Sequence, residues 1–485
     1  MKKALNTDIT ILGAGISGLA AAHFLSELGY SICVLEKNDR AGGAIRSERR
    51  DGFLIEYGPN STLETTPLLQ KLFSDLEILD NLEYANDRAK NRYIVRDGKL
   101  NALPMSPPAF IKTRLFSTAA KLRLLREPFI KPASPDSEEC LADFVERRIG
   151  REFLDYAINP FVAGVYAGKP ENLSVKSAFP KLYQLEQDYG SLIKGAILGA
   201  KKRRKRAETA KPEARLLSFK NGLQMVTDSL HQKYHDQVYL NAQIKNISQN
   251  TPGFEIDFES GGSRFQVHSR TILSTIPAHV YSTLPFSFDF PLSDVFSNIY
   301  YPPVAMVYFG YQQAPESIPL DGFGFLVPEK ENRNILGTIW SSTIFSERAP
   351  QGGVALTTFV GGCRQPEIAQ LPDDELIKTV QSDLKELMKI AQNPDLVVIQ
   401  RWTKAIPQYE IGHQKIMSQI QDFENHTPGL FITGNFRNGI SVGDCVKNAH
   451  EMSELVGAYI QNTFTKNIEN ENLIEPEMAH VKDEG

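Results

Sequence analysis

Asp8-Ile9-Thr10-Ile11-Leu12-Gly13-Ala14-Gly15-Ile16-Ser17-Gly18 runs from a short apolar strand straight into a glycine turn that opens a helix. The junction reads as a dinucleotide site. Gly13 permits the tight turn, Gly15 lets backbone N–H groups approach a pyrophosphate, and Gly18 lets the helix pack close to the strand. The helix N-terminus, with Ser17 in its first turn, adds about half a positive charge facing the anion. A second strand, Ser31 to Leu35, ends in Glu36, with Lys37 beside it. A carboxylate there accepts hydrogen bonds from the hydroxyls of an unphosphorylated adenosine ribose.

That fingerprint serves NAD and FAD alike, so further residues must decide between them. After Glu36 come Arg40, the doublet Gly42-Gly43 and Arg46, where bare backbone can lie against a flat ring or more pyrophosphate. Gly58-Pro59-Asn60-Ser61 has the chemistry of a rigid turn. Far along the chain, Phe431 to Asn435, containing Gly434, reads as a buried strand, followed by Gly439, Ser441, Val442 and Gly443. A helix follows at once, with apolar residues at Cys445, Val446, Ala449, Met452, Leu455, Val456, Tyr459 and Ile460. Its N-terminus is placed to stabilise the negative charge of a reduced flavin. Both ends of the chain are therefore expected to share one non-covalent FAD. Cys445 is expected to be a small buried residue rather than an attachment point.

The chain has 485 residues, 41% hydrophobic content and a formal net charge of -5. It can fill two or three domains, and its charge gives no reason to expect a nucleic acid partner. Cys33, Cys140, Cys363 and Cys445 show neither disulfide nor metal spacing, which fits a reducing cytoplasm. The N-terminus lacks the apolar core of a signal peptide, and no window is apolar enough to span a bilayer.

The pattern predicts an α/β (α+β) chain: a Rossmann-like FAD-binding domain of discontinuous segments, a substrate domain of mixed sheet plus helices, and a helical domain. The FAD-binding domain takes residues 1–88, 216–283 and 425–464, the substrate domain 89–100 and 284–424, the helical domain 101–215, and a flexible tail 465–485. Ile244, in a predicted hairpin, is a candidate contact for adenine. Leu141 to Ile158 reads as one amphipathic helix ending before Pro160. From Phe110 to Ile130 apolar residues alternate with Lys112, Arg114, Lys121, Arg123 and Arg126, a composition open to two readings: an anionic lipid surface, or a packed helix with a solvated cationic face. Lys201 to Arg206 is expected to be a solvated loop.

Taken with the glycine turn and Glu36, four motifs closely resemble the oxygen-dependent protoporphyrinogen oxidases: Arg40-Ala41-Gly42-Gly43, EYGPNS at 56–61, NPFVAGVYAG at 159–168 and GISVGDC at 439–445. The resemblance covers about residues 8 to 460 and implies an FAD enzyme that strips hydrogens from protoporphyrinogen IX, with O2 as acceptor and H2O2 as product. It implies that Arg92 pairs with a substrate propionate, that Leu326, Ile339 and Phe359 clamp the macrocycle, and that Gly164 offers a backbone carbonyl to pyrrole N–H groups. No histidine, cysteine or carboxylate cluster demands a metal, and no catalytic acid or base is assigned, since pyrrole nitrogens can release protons themselves. The resemblance makes the helical domain membrane-facing and moves the lipid reading of residues 110–130 ahead. It places the protein peripherally on the cytoplasmic face of the inner membrane, with the next pathway enzyme and a second copy of the chain as partners. Coproporphyrinogen III oxidation on the same fold, amine oxidation, and a non-catalytic flavin-binding, membrane-docking protein are the alternatives. Asn435 stands where related flavoproteins often carry a carboxylate.

Overall fold

The structure is a computed structural model and describes residues 2–204, 214–250, 252–317 and 320–465. Two seven-stranded sheets organise it. In the first, the strand Lys2–Leu12 pairs in parallel with Ile32–Leu35 on one side and Ser263–Ser274 on the other. The C-terminal half of Ser263–Ser274 pairs in parallel with Leu430–Ile432, and its N-terminal half carries the antiparallel hairpin Gln243–Gln249 and Phe254–Ser260. The first strand begins earlier than its apolar stretch, because its N-terminal half pairs with the N-terminal half of its long neighbour, from Lys2 opposite Arg264 to Thr7 opposite Ser269. The expected strand at 431–435 is confined to Leu430–Ile432.

The helices Ile16–Glu27, Pro67–Asp75, Gln224–Lys233 and Val442–Ile460 contribute to one core against this sheet. The apolar stripe of Val442–Ile460 is buried as its spacing predicts, except for half-buried Tyr459 and exposed Leu455. The second sheet runs in the order Leu396–Trp402, Val304–Tyr311, Val354–Gly361, Ile335–Trp340, Gly322–Leu326, Asn91–Arg96, Lys99–Ala102. Its strands are antiparallel except for the parallel pair Gly322–Leu326 and Asn91–Arg96, and one face, with Phe325, Val327, Trp340 and Val360, packs on Leu376, Val380 and Leu384 of the helix Asp373–Met388.

The helical region departs from the sequence pattern in three places. Leu141 to Ile158 is not one helix: Leu141–Arg148 stops at Gly150, which sits at φ 101, a conformation glycine alone adopts freely. A new helical run then starts at Arg151 and continues through Pro160 to Tyr166, because a wide π turn at Leu154–Ile158 precedes the proline and removes the need for its missing N–H. Phe110–Ile130 is split into Pro107–Lys112, Thr118–Arg123 and a 3-10 turn at Leu124–Phe129. Lys121 and Arg123 donate to the carbonyls of Ile111, Thr113, Glu146 and Arg147, so they close other helices.

Glu127, in the middle of that basic stretch, is fully buried. It pairs with buried Arg148 and accepts from the Ser191 hydroxyl (2.5 Å) and the N–H groups of Leu192 (2.8 Å) and Ile193 (3.2 Å). It thereby caps the helix Leu192–Arg204. The expected loop at 201–206 is instead helical through Arg204, since lysine and arginine are good helix formers. Residues 205–206, and the expected tail from 466 onward, lie outside the described residues. Among the described residues, no helix is long and apolar enough to cross a membrane.

Candidate active site

The carboxyl ends of the parallel strands carry the glycine turns. Gly13, at φ 96, closes the first strand, and Gly18 lies so close beneath it that a Cβ there would fall 1.9 Å from the Gly13 carbonyl oxygen. Buried Glu36 reaches back to accept from the Ala14 N–H (2.9 Å) and from the Asn38 backbone (2.9 Å) and side chain (2.6 Å). The two glycine turns touch: Gly42 N–H donates to the Ala14 carbonyl at 2.7 Å, and a Cβ on Gly43 would come 3.1 Å from the Gly15 Cα. This cradle of bare backbone fits a pyrophosphate, with no room for a side chain at Gly18 or Gly43 and an open approach over Gly15.

Arg40 is committed to the turn itself, donating to the carbonyls of Ala41, Ile45 and Gly43. Burial lowers its pKa. Lys37 and Arg46 are exposed, and the Arg46 guanidinium lies 4.4 Å from the Tyr57 ring. Gly58, Pro59, Asn60 and Ser61 are half-buried. Ile244 stands two residues beyond Ala242, whose N–H donates to the Glu36 carbonyl.

The two chain ends do meet. Buried Ser17 is in hydrogen-bonding reach of the buried Cys445 thiol, whose pKa burial pushes up to about 11, which keeps it protonated. At the start of the last helix, Ser441 accepts from Asp444 N–H (3.1 Å) and donates to its carboxylate (2.6 Å), while a Cβ on Gly443 would approach Thr65 Oγ1 at 3.3 Å. Val442 packs partly against the core of the nucleotide sheet. The preceding loop, with Gly434, Asn435 and Gly439, is tied by the buried Tyr409 hydroxyl, which accepts from Gly439 N–H (2.9 Å) and donates to the Asn435 carbonyl (2.7 Å).

Strand register explains how residues scattered over the sequence come to share a surface. Arg92, Gly324, Ile339 and Thr357 are successive partners across four strands; Ile94, Leu326, Gly337, Phe359, Met306 and Gln400 form the next row. Each residue in one row is two positions from its neighbour in the other, so both rows face the same way, opposite the packed core. Gly324 separates Arg92 from Ile339, and Gly337 separates Leu326 from Phe359. Leu326 leans over Gly337, where a Cβ would fall 2.9 Å from its Cδ2, and buried Met306 and Thr357 close the far end, so the trough is the line along this face from Arg92 past Leu326 and Ile339 to Phe359.

The exposed Arg92 guanidinium has no ion-pair partner among the described residues and lies 5.6 Å from the Phe323 ring. Phe359 and Trp402 share an apolar cluster with Tyr57, which brings the trough to the mouth of the 58–61 turn. On the other side, a Cβ on Gly164 would fall 2.5 Å from Leu326 Cδ2. The smallness of Gly164 thus makes room first for Leu326. Its carbonyl lies in the last turn of Asn159–Tyr166, where helix carbonyls lose their internal donors.

Several residues that shape this site gave no sequence signal. Arg364 donates to both oxygens of Asn159 and to the Val327 carbonyl, pinning the Asn159–Tyr166 helix onto the trough. Burial lowers its pKa to about 10. Glu56 is buried and points away from the glycine cradle; it accepts from Ser47 (2.5 Å) and Leu223 N–H (2.9 Å) and lies 3.4 Å from buried Arg348. Gly324 and Gly337 could have been found, because a glycine inside a strand pattern marks a close approach of something else.

The described residues hold no cluster of metal-ligating side chains. The profile of the family described as Flavin containing amine oxidoreductase matches residues 16–456. The chain is 32% identical to Protoporphyrinogen oxidase 2, chloroplastic/mitochondrial, of Arabidopsis thaliana, with 96% of each chain covered. It is 34% identical to the chloroplastic protoporphyrinogen oxidase of Nicotiana tabacum, over 94% of this chain and 86% of that one. It is 28% identical to the coproporphyrinogen III oxidase of Bacillus subtilis, over 90% and 95%. A crystal structure from Exiguobacterium sp. 255-15 superposes with a TM-score of 0.78 at 23% identity, covering 94% of this chain and 99% of that one. A putrescine oxidase variant superposes with a TM-score of 0.69 at 16% identity, covering 94% and 100%, and both show the fold. From a family match over most of its length and relatives aligned nearly end to end, this FAD-dependent oxidoreductase belongs to the flavin containing amine oxidoreductases and, among them, to the protoporphyrinogen oxidase family.

Proposed function

We propose that the chain oxidises protoporphyrinogen IX to protoporphyrin IX in porphyrin and haem biosynthesis, passing electrons to O2 and releasing H2O2. The observation that carries this reading is the trough: Arg92, Leu326, Ile339 and Phe359 on one face of the sheet, beside the 58–61 turn and with Leu326 against Gly164. Bound FAD supplies the two-electron acceptor. The chain binds and orients. Leu326, Ile339 and Phe359 exclude water from the macrocycle, and Arg92 holds a propionate through paired N–H bonds. The Gly164 carbonyl holds pyrrole N–H groups. Arg92 is the one cation in the two rows, which favours a substrate with two propionates over the four of coproporphyrinogen III.

Peroxide release with the two porphyrinogens tests the choice. Faster turnover of coproporphyrinogen III would favour the alternative, and flavin that stays oxidised anaerobically with either would leave only a non-catalytic role. For Arg92→Met we expect KM for protoporphyrinogen IX to rise about 10- to 100-fold, matching the roughly 1.5–3 kcal/mol of a charged hydrogen bond, with kcat little changed. An unchanged KM removes Arg92 from the substrate site.

We also propose that residues 101–215 form a membrane-facing domain that docks peripherally on the cytoplasmic face of the membrane. Ile111, Leu125 and Phe129 are 74%, 70% and 86% exposed, with Leu122, Ile197 and Leu198 also exposed. Lys112, Arg114 and Arg126 have no ion-pair partner among the described residues, a combination suited to anionic lipid. Flotation with vesicles containing phosphatidylglycerol should carry the wild type upward and leave an Ile111→Ser, Phe129→Ser variant behind. Equal flotation of both would rule out this surface.

A further inference from the structure

A cavity of about 530 Å³ lies behind the trough, at the junction of the two large sheets. It does not include the glycine turns. One wall comes from Ala278–Thr283 and Leu292–Ser297, which follow the carboxyl end of Ser263–Ser274, and the other from residues 300–303, 369–370 and 401–404. Its lining suits an aromatic guest: the rings of Phe296, Tyr301, Trp402 and His279 line it, and His279 meets Tyr301 edge-on at 4.8 Å.

Its charge is one-sided. Arg401 and Lys404 line it and no aspartate or glutamate does. Arg401 is occupied by Asp373 (2.6 Å) and the carbonyls of Ala369 and Leu371, whereas Lys404 is exposed and has no ion-pair partner among the described residues. His279 Nδ1 is buried without a hydrogen-bond partner. Burial, with Lys404 and Lys37 nearby, lowers its pKa to about 4, so near neutral pH the ring is uncharged. An aromatic-lined cavity at a junction between sheets, with a few placed polar groups, has the usual make-up of a small-ligand site.

We propose that this cavity binds a flat aromatic ring system bearing an anionic arm, the ring between Trp402 and His279 and the arm on Lys404. Trp402 also packs with Phe359, so the cavity shares a wall with the trough. If the proposed oxidation holds, its product is such a molecule, because conversion of the tetrahedral meso carbons to trigonal ones flattens a puckered porphyrinogen into a planar porphyrin that keeps its two propionates. An adenine nucleotide has the same chemistry, and the test separates the two.

The chain has two tryptophans, Trp340 sealed in the core and Trp402 on this wall, so quenching that is lost when the cavity is filled or its rim charge reversed reports occupancy here. In the Arg92→Met holoenzyme, where the trough is weakened, titration with protoporphyrin IX or with AMP should quench the tryptophan emission saturably. Ser293→Phe, which fills the cavity, and Lys404→Glu, on its exposed rim, should each weaken the quenching ligand about tenfold or more. Peroxide turnover, if the enzyme has it, should stay within about twofold in both. Quenching by porphyrin alone identifies the product as ligand, and by AMP alone a nucleotide; both results stand whether or not porphyrinogen is oxidised. No quenching by either, or quenching indifferent to both substitutions, overturns the proposal.

Discussion

Gly18→Ala is expected to purify as a colourless, destabilised protein, whereas Gly15→Ala should stay folded and lose only its flavin. The added methyl at Gly18 would lie 1.9 Å from the Gly13 carbonyl oxygen and 2.8 Å from Thr275 Oγ1. Neither can yield easily: Gly13 N–H is bonded to the Leu35 carbonyl at 2.8 Å, and Thr275 Oγ1 to the Leu12 carbonyl at 2.9 Å. The helix must therefore back away from the strand, at a cost of about 1–3 kcal/mol or more, and take its N–H groups away from the pyrophosphate. Gly15 has an ordinary φ of -74, and a Cβ there meets only the Gly43 Cα at 4.0 Å. Its methyl would project where the cofactor approaches. Visible flavin absorbance and the melting temperature of the apoprotein separate the two effects. A yellow, normally stable Gly18→Ala protein would contradict the packing described above.

Arg348→Met should cost about 3–5 kcal/mol, the usual penalty for leaving a buried charge without its partner. Arg348 donates to the Ser218 hydroxyl at 2.7 Å and to the Phe219 carbonyl at 3.3 Å, and lies 3.4 Å from Glu56. It joins the substrate sheet to the nucleotide domain. Adding Glu56→Gln should recover part of the loss, and a double-mutant cycle in urea measures the coupling. Burial holds the Glu56 pKa above the ordinary carboxyl range, and Arg348 pulls it back. Without Arg348 it rises further. A carboxyl raised in the folded state stabilises while protonated, below its unfolded pKa of about 4.3, and that stability is lost as pH rises through the folded value. The deficit of Arg348→Met should therefore widen from acid to neutral pH. A deficit independent of pH would show that Glu56 is not its principal partner.

Local chemistry was legible in the sequence wherever function depends on neighbours along the chain. The Gly13 turn, Glu36 at a strand end and Ser441 at a helix start all stand where spacing placed them. The trough was reachable only by resemblance, since no local pattern shows that Arg92 and Phe359 share a face; strand register decides that. Gly150 and Pro160 misled because a positive φ and a π turn are set by packing rather than by amphipathic spacing. Arg40 was assigned to the cofactor, but the structure engages its guanidinium with three carbonyls of its own loop.

The contact between Ser17 and Cys445 bears on the order of events during synthesis. The glycine turn leaves the ribosome more than four hundred residues ahead of the wall that completes its cofactor cleft. Until Leu430–Ile432 docks beside Ser263–Ser274 and the Val442–Ile460 helix seats on Ile16–Glu27, the nascent chain has half a nucleotide cleft. Capture of the prosthetic group is thus postponed until the Val442–Ile460 helix has been made and seated, and products terminated before it are born unable to hold it.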